Sequence, residues 1–312
     1  MILVIASSFL EGDPQTDLLL DSLKKAEKPF VLLNPLDYKT FYGLELVNHE
    51  LTGSALFLDD RCVTPDSIYL SRMVRADCII DFPENCVYPN TFRQKIDTFI
   101  QEILLTFRGA RFFPGSLTSV NLSETKTALF HMASLCGLKV PEYTATCFGK
   151  TSLPANYRKA LGYPFSITLN TEEGSEVAVT LVNGKCTEDE EDLGLPWQWQ
   201  TEIDCVAQVR CVVVGHKIHC YLADWSKFLG EDLRSVQESQ QVEWAKSELG
   251  VEISEKLFCL MDQLGLTLAC PEFLINQSGE LVFIDMNPSG DWYGLGSDED
   301  SAIIAEEIAN QL

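Results

Sequence analysis

The chain opens on alternating apolar and polar stretches. Met1-Ile2-Leu3-Val4-Ile5-Ala6 is apolar and strand-sized, Thr16 to Lys25 places leucines at 18, 19, 20 and 23, and Phe30-Val31-Leu32-Leu33 is apolar again. Strand, amphipathic helix, strand is the pattern of a βαβ unit and predicts a parallel sheet. Short strands are expected over 54–82, among them Ser67-Ile68-Tyr69-Leu70 and Cys78-Ile79-Ile80, and a helix over about 91–107. These elements make an α/β lobe over residues 1–112. Its first turn, Ala6 to Gly12, carries neither glycine-rich phosphate-binding fingerprint.

A stretch rich in Pro, Gly and Ser, Phe113 to Ser119, reads as a linker. Ser123 then suits an N-cap, with a helix running to Cys136 and closed by Gly137 and Pro141. Strands are expected at Tyr143–Phe148, Pro164–Leu169, Val177–Leu181, Cys205–Val214 and Lys217–Leu222, mostly as antiparallel hairpins. Gly215-His216 is a tight turn. The acidic run Glu188 to Asp192 reads as a solvated loop. A helix from about Ser254 to Gly265 precedes a last hairpin, Glu272 to Ile275 and Glu280 to Met286, turning at Asn276-Gln277-Ser278-Gly279. A helix over 298–312 follows. The expected divisions are 1–112, 113–200 and 201–312, in a mixed α/β (α+β) fold.

With 312 residues, 46% of them apolar and 22% charged, the composition is that of a globular protein. No apolar run reaches the roughly 18 residues of a transmembrane helix. The N-terminal run lacks a basic flank and reads as a strand rather than a signal peptide. The eleven cysteines contain no C-x-x-C pair, which fits a reducing, cytoplasmic compartment. His216 and His219, the sole close pair among four histidines, flank a hairpin turn and make a poor zinc site. The net charge of −23 argues against nucleic acid as a partner. It suits solubility, or a partner that brings positive charge, such as a basic peptide.

The last hairpin carries the strongest chemical signal. Glu272 opens one strand and Asp285 lies near the end of the other. Asn287, two residues on, leaves the same face. Two carboxylates and an amide oxygen suit magnesium, which combines carboxylates with substrate phosphates. Asp285 sits in the apolar run Leu281-Val282-Phe283-Ile284-Asp285-Met286, so its carboxylate needs a partner.

From Gly279 to Trp292 the sequence resembles the metal-binding end of ATP-grasp ligases, and among them most the microviridin-type macrocyclases (graspetide synthetases), in which a Gly-x-Trp follows the Asn-Pro. Here that stretch reads Asn287-Pro288-Ser289-Gly290-Asp291-Trp292. The similarity covers most of the chain. Ser67 to Arg72 resembles the arginine-ending strand of the family's N-terminal lobe. Asn121 to Pro141 resembles the helix of its central domain, with Lys126 at a nucleotide-contacting position. Trp199-Gln200 resembles the start of the adenine hinge, continuing through Thr201, Glu202 and Ile203. Arg210 follows at the family spacing before Val212-Val213-Val214-Gly215, and Asp232-Leu233-Arg234 resembles an Asp-Trp-Arg motif.

The resemblance implies an ATP-grasp fold with ATP between two antiparallel sheets, and Mg2+ held on its phosphates by Glu272, Asp285 and Asn287. A substrate carboxylate attacks the γ-phosphorus, and an amine or hydroxyl displaces phosphate from the resulting acyl phosphate. Arg210 and Arg234 are expected to bind phosphates or the acyl phosphate. Three positions depart from the family. Thr168 stands where a lysine contacts the phosphates, Gln200-Thr201 stands for Gln-Glu, and Asp285 replaces a glutamate. Lys159 or Lys185 could supply the charge missing at Thr168. The implied substrate is a peptide side chain, with free amino acids or small acids, or a non-catalytic peptide-binding member, as the rival readings. A homodimer is also expected. A leader segment is expected to be basic, or to dock near Arg72 and Arg75.

Overall fold

The structure, a computed structural model, describes residues 1–6, 14–34, 38–49, 53–58, 61–71, 88–146, 157–160, 166–170, 176–180, 184–185, 197–224, 242–288, 290 and 292–312. The first lobe contains β1 (Ile2–Ile5), α1 (Pro14–Lys25) and β2 (Phe30–Leu33), then a small antiparallel sheet of β3 (Leu44–His49), β4 (Gly53–Leu58) and β5 (Arg61–Val63). β6 (Ser67–Leu70), α2 (Pro89–Thr106) and β7 (Arg111–Phe113) complete it. The main sheet has order β2-β1-β6-β7 and is parallel throughout. β1 is buried at all its positions, as expected of a parallel strand covered on both faces. Cys78-Ile79-Ile80 lies outside the described residues.

Residues 113–136 differ from the sequence expectation. Two helices occur, α3 (Leu117–Glu124) and α4 (Lys126–Leu135), separated by Thr125. The cap is Ser116, in extended conformation, whose Oγ accepts from the Ser119 N–H at 3.1 Å. Ser123 is buried inside α3 and donates to the Val120 carbonyl at 2.7 Å. The linker is therefore shorter than its composition suggests, because Ser116 starts a helix within it. Gly137, at φ +82°, stops α4 as expected.

The middle region contains β8 (Tyr143–Thr146), β9 (Tyr157–Ala160), β10 (Ser166–Asn170), β11 (Glu176–Thr180), β12 (Gly184–Lys185) and β13 (Trp197–Gln200). One sheet has order β12-β9-β13-β8, and β10 pairs with β11 apart from it. β9 was not expected, since Tyr-Arg-Lys-Ala has no apolar alternation.

The last lobe contains β14 (Cys205–Val214), β15 (Lys217–Asp224), β16 (Ala245–Ser247), α5 (Val251–Leu264), β17 (Leu268–Asn276), β18 (Leu281–Asn287) and α6 (Asp298–Gln311). Its sheet has order β16-β15-β14-β17-β18 and every pair is antiparallel. Two expected boundaries move. α5 starts at Val251 rather than Ser254. β17 starts at Leu268, so Glu272 lies inside the strand instead of opening it. Gly265, at φ +67°, ends α5.

Both faces of this sheet are covered. On one, Cys211, Val213, Phe273 and Phe283 pack with Leu129 and Phe130 of α4 and with Leu257 and Leu260 of α5. Phe283 meets Phe130 and Phe273 edge to face, with centroids 6.3 and 5.6 Å away. On the other, Val212, Val214, Tyr221 and Cys270 share a core with Trp292, with Ile304 and Ile308 of α6, and with Val4, Leu19 and Tyr69 of the first lobe. The end of α6 is also bonded to that lobe. Lys28 Nζ donates to the Ala309 carbonyl at 2.8 Å, Arg111 Nη1 to that of Gln311 at 2.7 Å and Ser67 Oγ to that of Leu312 at 2.8 Å.

Candidate functional site

A β-bulge assembles the site. Glu272 and Phe273 are consecutive in β17, yet their partners in β18, Asp285 and Phe283, are two residues apart. Ile284 is the extra residue. In an unbroken strand Phe283 and Asp285 would share a face. With the bulge, Phe283 stays in the core against Phe273 while Asp285 turns to the opposite side, directly across from Glu272. Asn287 keeps that side, opposite Cys270.

Arg210 of β14 is in register with Glu272. Its strand neighbours at even positions, Val212 and Val214, belong to the core on the α6 side, so Arg210 and Gln208 look the same way. Arg210 Nη2 is 3.2 Å from Glu272 Oε1, with 20% and 22% of the side chains exposed. Gln208 Nε2 donates to Glu272 Oε2 at 3.0 Å. The guanidinium lies over the Trp244 ring, 5.2 Å from its centroid, and the buried Arg210 Nε has no hydrogen-bond partner among the described residues. From the first turn of α4, Lys126 Nζ pairs with Asp285 Oδ1, which also accepts from the Met286 N–H at 2.8 Å. The partner that a carboxylate in this apolar strand needs is thus Lys126. Tyr221, opposite Arg210 on β15, is pushed up to about 12 by burial and then by Asp300, so its hydroxyl stays neutral.

Two carboxylates and an amide on one sheet face form a hard all-oxygen donor set, with Arg210 and Gln208 bonded to Glu272 and Lys126 to Asp285. It fits a magnesium ion that takes its remaining ligands from phosphates and water. An incoming cation has to compete with the two side-chain cations already on Glu272 and Asp285.

The expected nucleotide residues are less concentrated. Gln200 ends β13 and is buried, and its Oε1 has no partner among the described residues. The same holds for both amide atoms of fully buried Gln198, on the same face two residues earlier. Buried amides of this kind normally find a partner. The Thr201 N–H is bonded to the Glu142 carbonyl at 2.9 Å, continuing the β13–β8 ladder. Glu202 is exposed, and Ile203 packs against Cys205. Thr168 lies in β10 opposite Ala178, in a pair not joined to the sheet of β13, and its side chain lies outside the described residues. So do Arg234, Arg72, Arg75 and the loop Glu188–Asp192. Lys159 and Lys185 are placed by backbone alone, in β9 and β12.

Gln208, Gln198 and Trp244 are absent from the sequence-based set. Gln208 was findable, being two residues before Arg210. Nothing in the sequence ties Trp244 to Arg210. His216 and His219 are engaged separately: the first ring stacks edge-on with Phe258 at 5.6 Å, and Nε2 of the second is 2.7 Å from Glu307.

No family model matches the chain, and no curated protein matches it in sequence. Solved structures do. The macrocyclase MdnC bound with precursor peptide MdnA, from Microcystis aeruginosa MRC, matches at a TM-score of 0.74 and 15% identity over 100% of both chains. A Chryseobacterium gregarium RiPP-associated ATP-grasp ligase in complex with ADP and a leader and core peptide matches at 0.76 and 17%, over 100% of this chain and 96% of that one. A RimK domain ATP-grasp protein from Sphaerobacter thermophilus DSM 20745 matches at 0.54 and 13%, over 99% and 98%. The chain therefore has the ATP-grasp fold. Within that fold it is similar along its whole length to peptide-modifying ligases. Among the described residues, no helix is long and apolar enough to cross a membrane.

Proposed function

We propose that the chain is an ATP- and Mg2+-dependent ligase that joins a carboxylate side chain of a ribosomally made peptide to an amine or hydroxyl. The observation that carries this reading is the face built by the bulge. Glu272, Asp285 and Asn287 converge there within reach of Arg210 and Lys126, in an ATP-grasp fold. Glu272, Asp285 and Asn287 would hold the magnesium, which supplies charge neutralisation on the phosphates. Lys126 turns from Asp285 to the nucleotide. Arg210, held by Trp244 and Glu272, offers its guanidinium to the phosphoryl group or to the acyl phosphate made when the substrate carboxylate attacks. Arg234 is proposed for the same anion. Gln200, with Thr201, Glu202 and Ile203, forms the hinge for the base, and the Gln198 amide and Gln200 Oε1, without partners among the described residues, support it. The divisions 1–112, 113–200 and 201–312 belong to the proposal, as do a homodimer and a cytoplasmic location. The seven cysteines within the described residues are free thiols, which suits a reducing compartment.

A peptide is favoured over a free amino acid because two of the similar structures hold precursor or leader and core peptides. The test is incubation with ATP, Mg2+ and peptides encoded near the gene, followed by mass measurement. Loss of one water per bond supports the reading. Phosphate release with a free amino acid and no modified peptide points to a small-molecule ligase. Peptide binding without turnover points to a non-catalytic member, which Thr168 in place of a lysine would suit. Asp285→Ala should abolish Mg2+-dependent nucleotide binding while the protein stays folded.

A further inference from the structure

Away from this site, two cysteines stand at the crossing of two helices. Cys136 is the C-cap residue of α4, and its N–H is bonded to the Met132 carbonyl at 3.0 Å. Cys259 lies on α5. The two Sγ atoms are 3.1 Å apart although 123 residues separate them in sequence. Cys259 is exposed and Cys136 partly so. The helices are held by a shared core, Leu129 and Phe130 of α4 against Leu257 and Leu260 of α5. The thiols meet because the packing of α4 on α5 brings them together.

We propose that Cys136 and Cys259 form a thiol pair that closes to a reversible disulfide by exchange with a small disulfide such as oxidised glutathione. The sulfurs need to approach by roughly 1 Å to reach a bond of about 2.05 Å. Cys259, the more exposed, attacks first as its thiolate. It bonds to one glutathione sulfur and expels the other as a thiolate. Cys136 then attacks the Cys259 sulfur, closing the protein disulfide and releasing the second glutathione. The two protons lost by the protein end on the two glutathione thiols. Burial, and the hydrogen bond to Cys259, push the Cys136 thiol up to about 12. That suits the resolving thiol, which attacks within the molecule, rather than the one that meets the reagent. The closed bond pins α4, whose first residue is Lys126, to α5.

A second pair supplies an internal comparison. Cys211 and Cys220 face each other across β14 and β15 with sulfurs 3.0 Å apart, but they are 0% and 3% exposed. Proximity is similar and access differs.

The experiment treats the folded full chain with oxidised glutathione, alkylates the remaining thiols, and maps the peptides by mass. The expected product is a peptide pair joined through Cys136 and Cys259, reopened by dithiothreitol, with Cys211–Cys220 closing at least roughly tenfold more slowly because reagent access limits it. Cys136→Ser should trap glutathione on Cys259, and Cys259→Ser should leave Cys136 alkylatable. A wild-type protein that keeps both thiols free, or that accumulates glutathione on Cys259 without closing, overturns the proposal. Equal or faster closure of Cys211–Cys220 overturns it as well.

Discussion

Replacing Lys126 by methionine should move metal and nucleotide binding in opposite directions. Lys126 is paired with Asp285, and 18% and 27% of the two side chains are exposed. Two unit charges about 4 Å apart attract by roughly 4 kcal/mol at an effective dielectric of about 20. Desolvation and lost side-chain freedom offset most of that, and exposed pairs retain about 0.2–1 kcal/mol. For a pair this sheltered we expect a net coupling of about 1–2 kcal/mol, between the exposed and buried limits. A divalent ion on Asp285 has to displace the ammonium. Lys126→Met should then tighten binding of Mg2+ or Mn2+ alone by roughly 5- to 30-fold, at about 1.4 kcal/mol per decade. Nucleotide binding should weaken, because the proposed phosphate contact is lost. Metal titration by calorimetry and nucleotide titration by fluorescence give the two affinities. A double-mutant cycle with Asp285→Asn in urea, without metal, gives the coupling. A coupling indistinguishable from zero, or a Lys126→Met protein that binds metal no more tightly, would refute the reasoning.

Phe283→Ala should destabilise by about 3–5 kcal/mol in urea with an unchanged slope, since the ring fills the core between Phe130 and Phe273; a loss below about 1 kcal/mol would mean the bulge does not anchor on that ring. Gly290→Ala would drive a Cβ into Cys270 Cβ and Sγ and should cost about 1–3 kcal/mol, partly recovered by Cys270→Gly. Lys246, with the Ser297 backbone N–H, holds the Asp300 carboxyl down to about 2, against an ordinary 3.8. The folded value is depressed, so the stabilisation is complete above about pH 4 and is lost as pH falls toward 2. Asp300→Asn should remove that step from an acid melt, and an unchanged melt would contradict the assignment.

The legible parts of the fold were those in which one residue type can do one thing. β14, as an unbroken run of strand-forming residues, was found to the residue, and the glycine stops of α4 and α5 were marked by Gly137 and Gly265. The register of the last hairpin was only half legible. Asp285 and Asn287 share a face by simple alternation, but nothing in Phe283-Ile284-Asp285 marks Ile284 as a bulge. Its place depends on Phe283 finding Phe130, 153 residues earlier. Ser116 and Ser123 are equally good caps by residue type. Packing chose between them, since Ser123 is buried within α3. Trp244 under Arg210 is a tertiary contact with no local signal.

Helix α6 ties two sheets of the protein together. Its apolar residues lie in one core with the first lobe and with the sheet of β14–β18, and the carbonyls at its end hold Lys28, Arg111 and Ser67. Prising those two sheets apart would wet Trp292, Tyr69 and Phe113 and strip three donors at once. They form a fixed jaw, with Glu272, Asp285 and Arg210 set in it. Among the described residues, the sheet of β8, β9, β12 and β13 shows no such clamp. The described contact nearest to one is the Tyr143 ring, edge-on to Phe130 at 5.4 Å. On the proposed function, closure over a nucleotide is expected as rotation of that smaller jaw, carrying Gln198 and Gln200, about the stretches 136–142 and 201–204. Hydrogen exchange on adding nucleotide should slow in β8 and β13 and at those pivots. The β1, β6 and α6 amides should be unmoved, and protection arising there would show the two lobes hinging on each other instead.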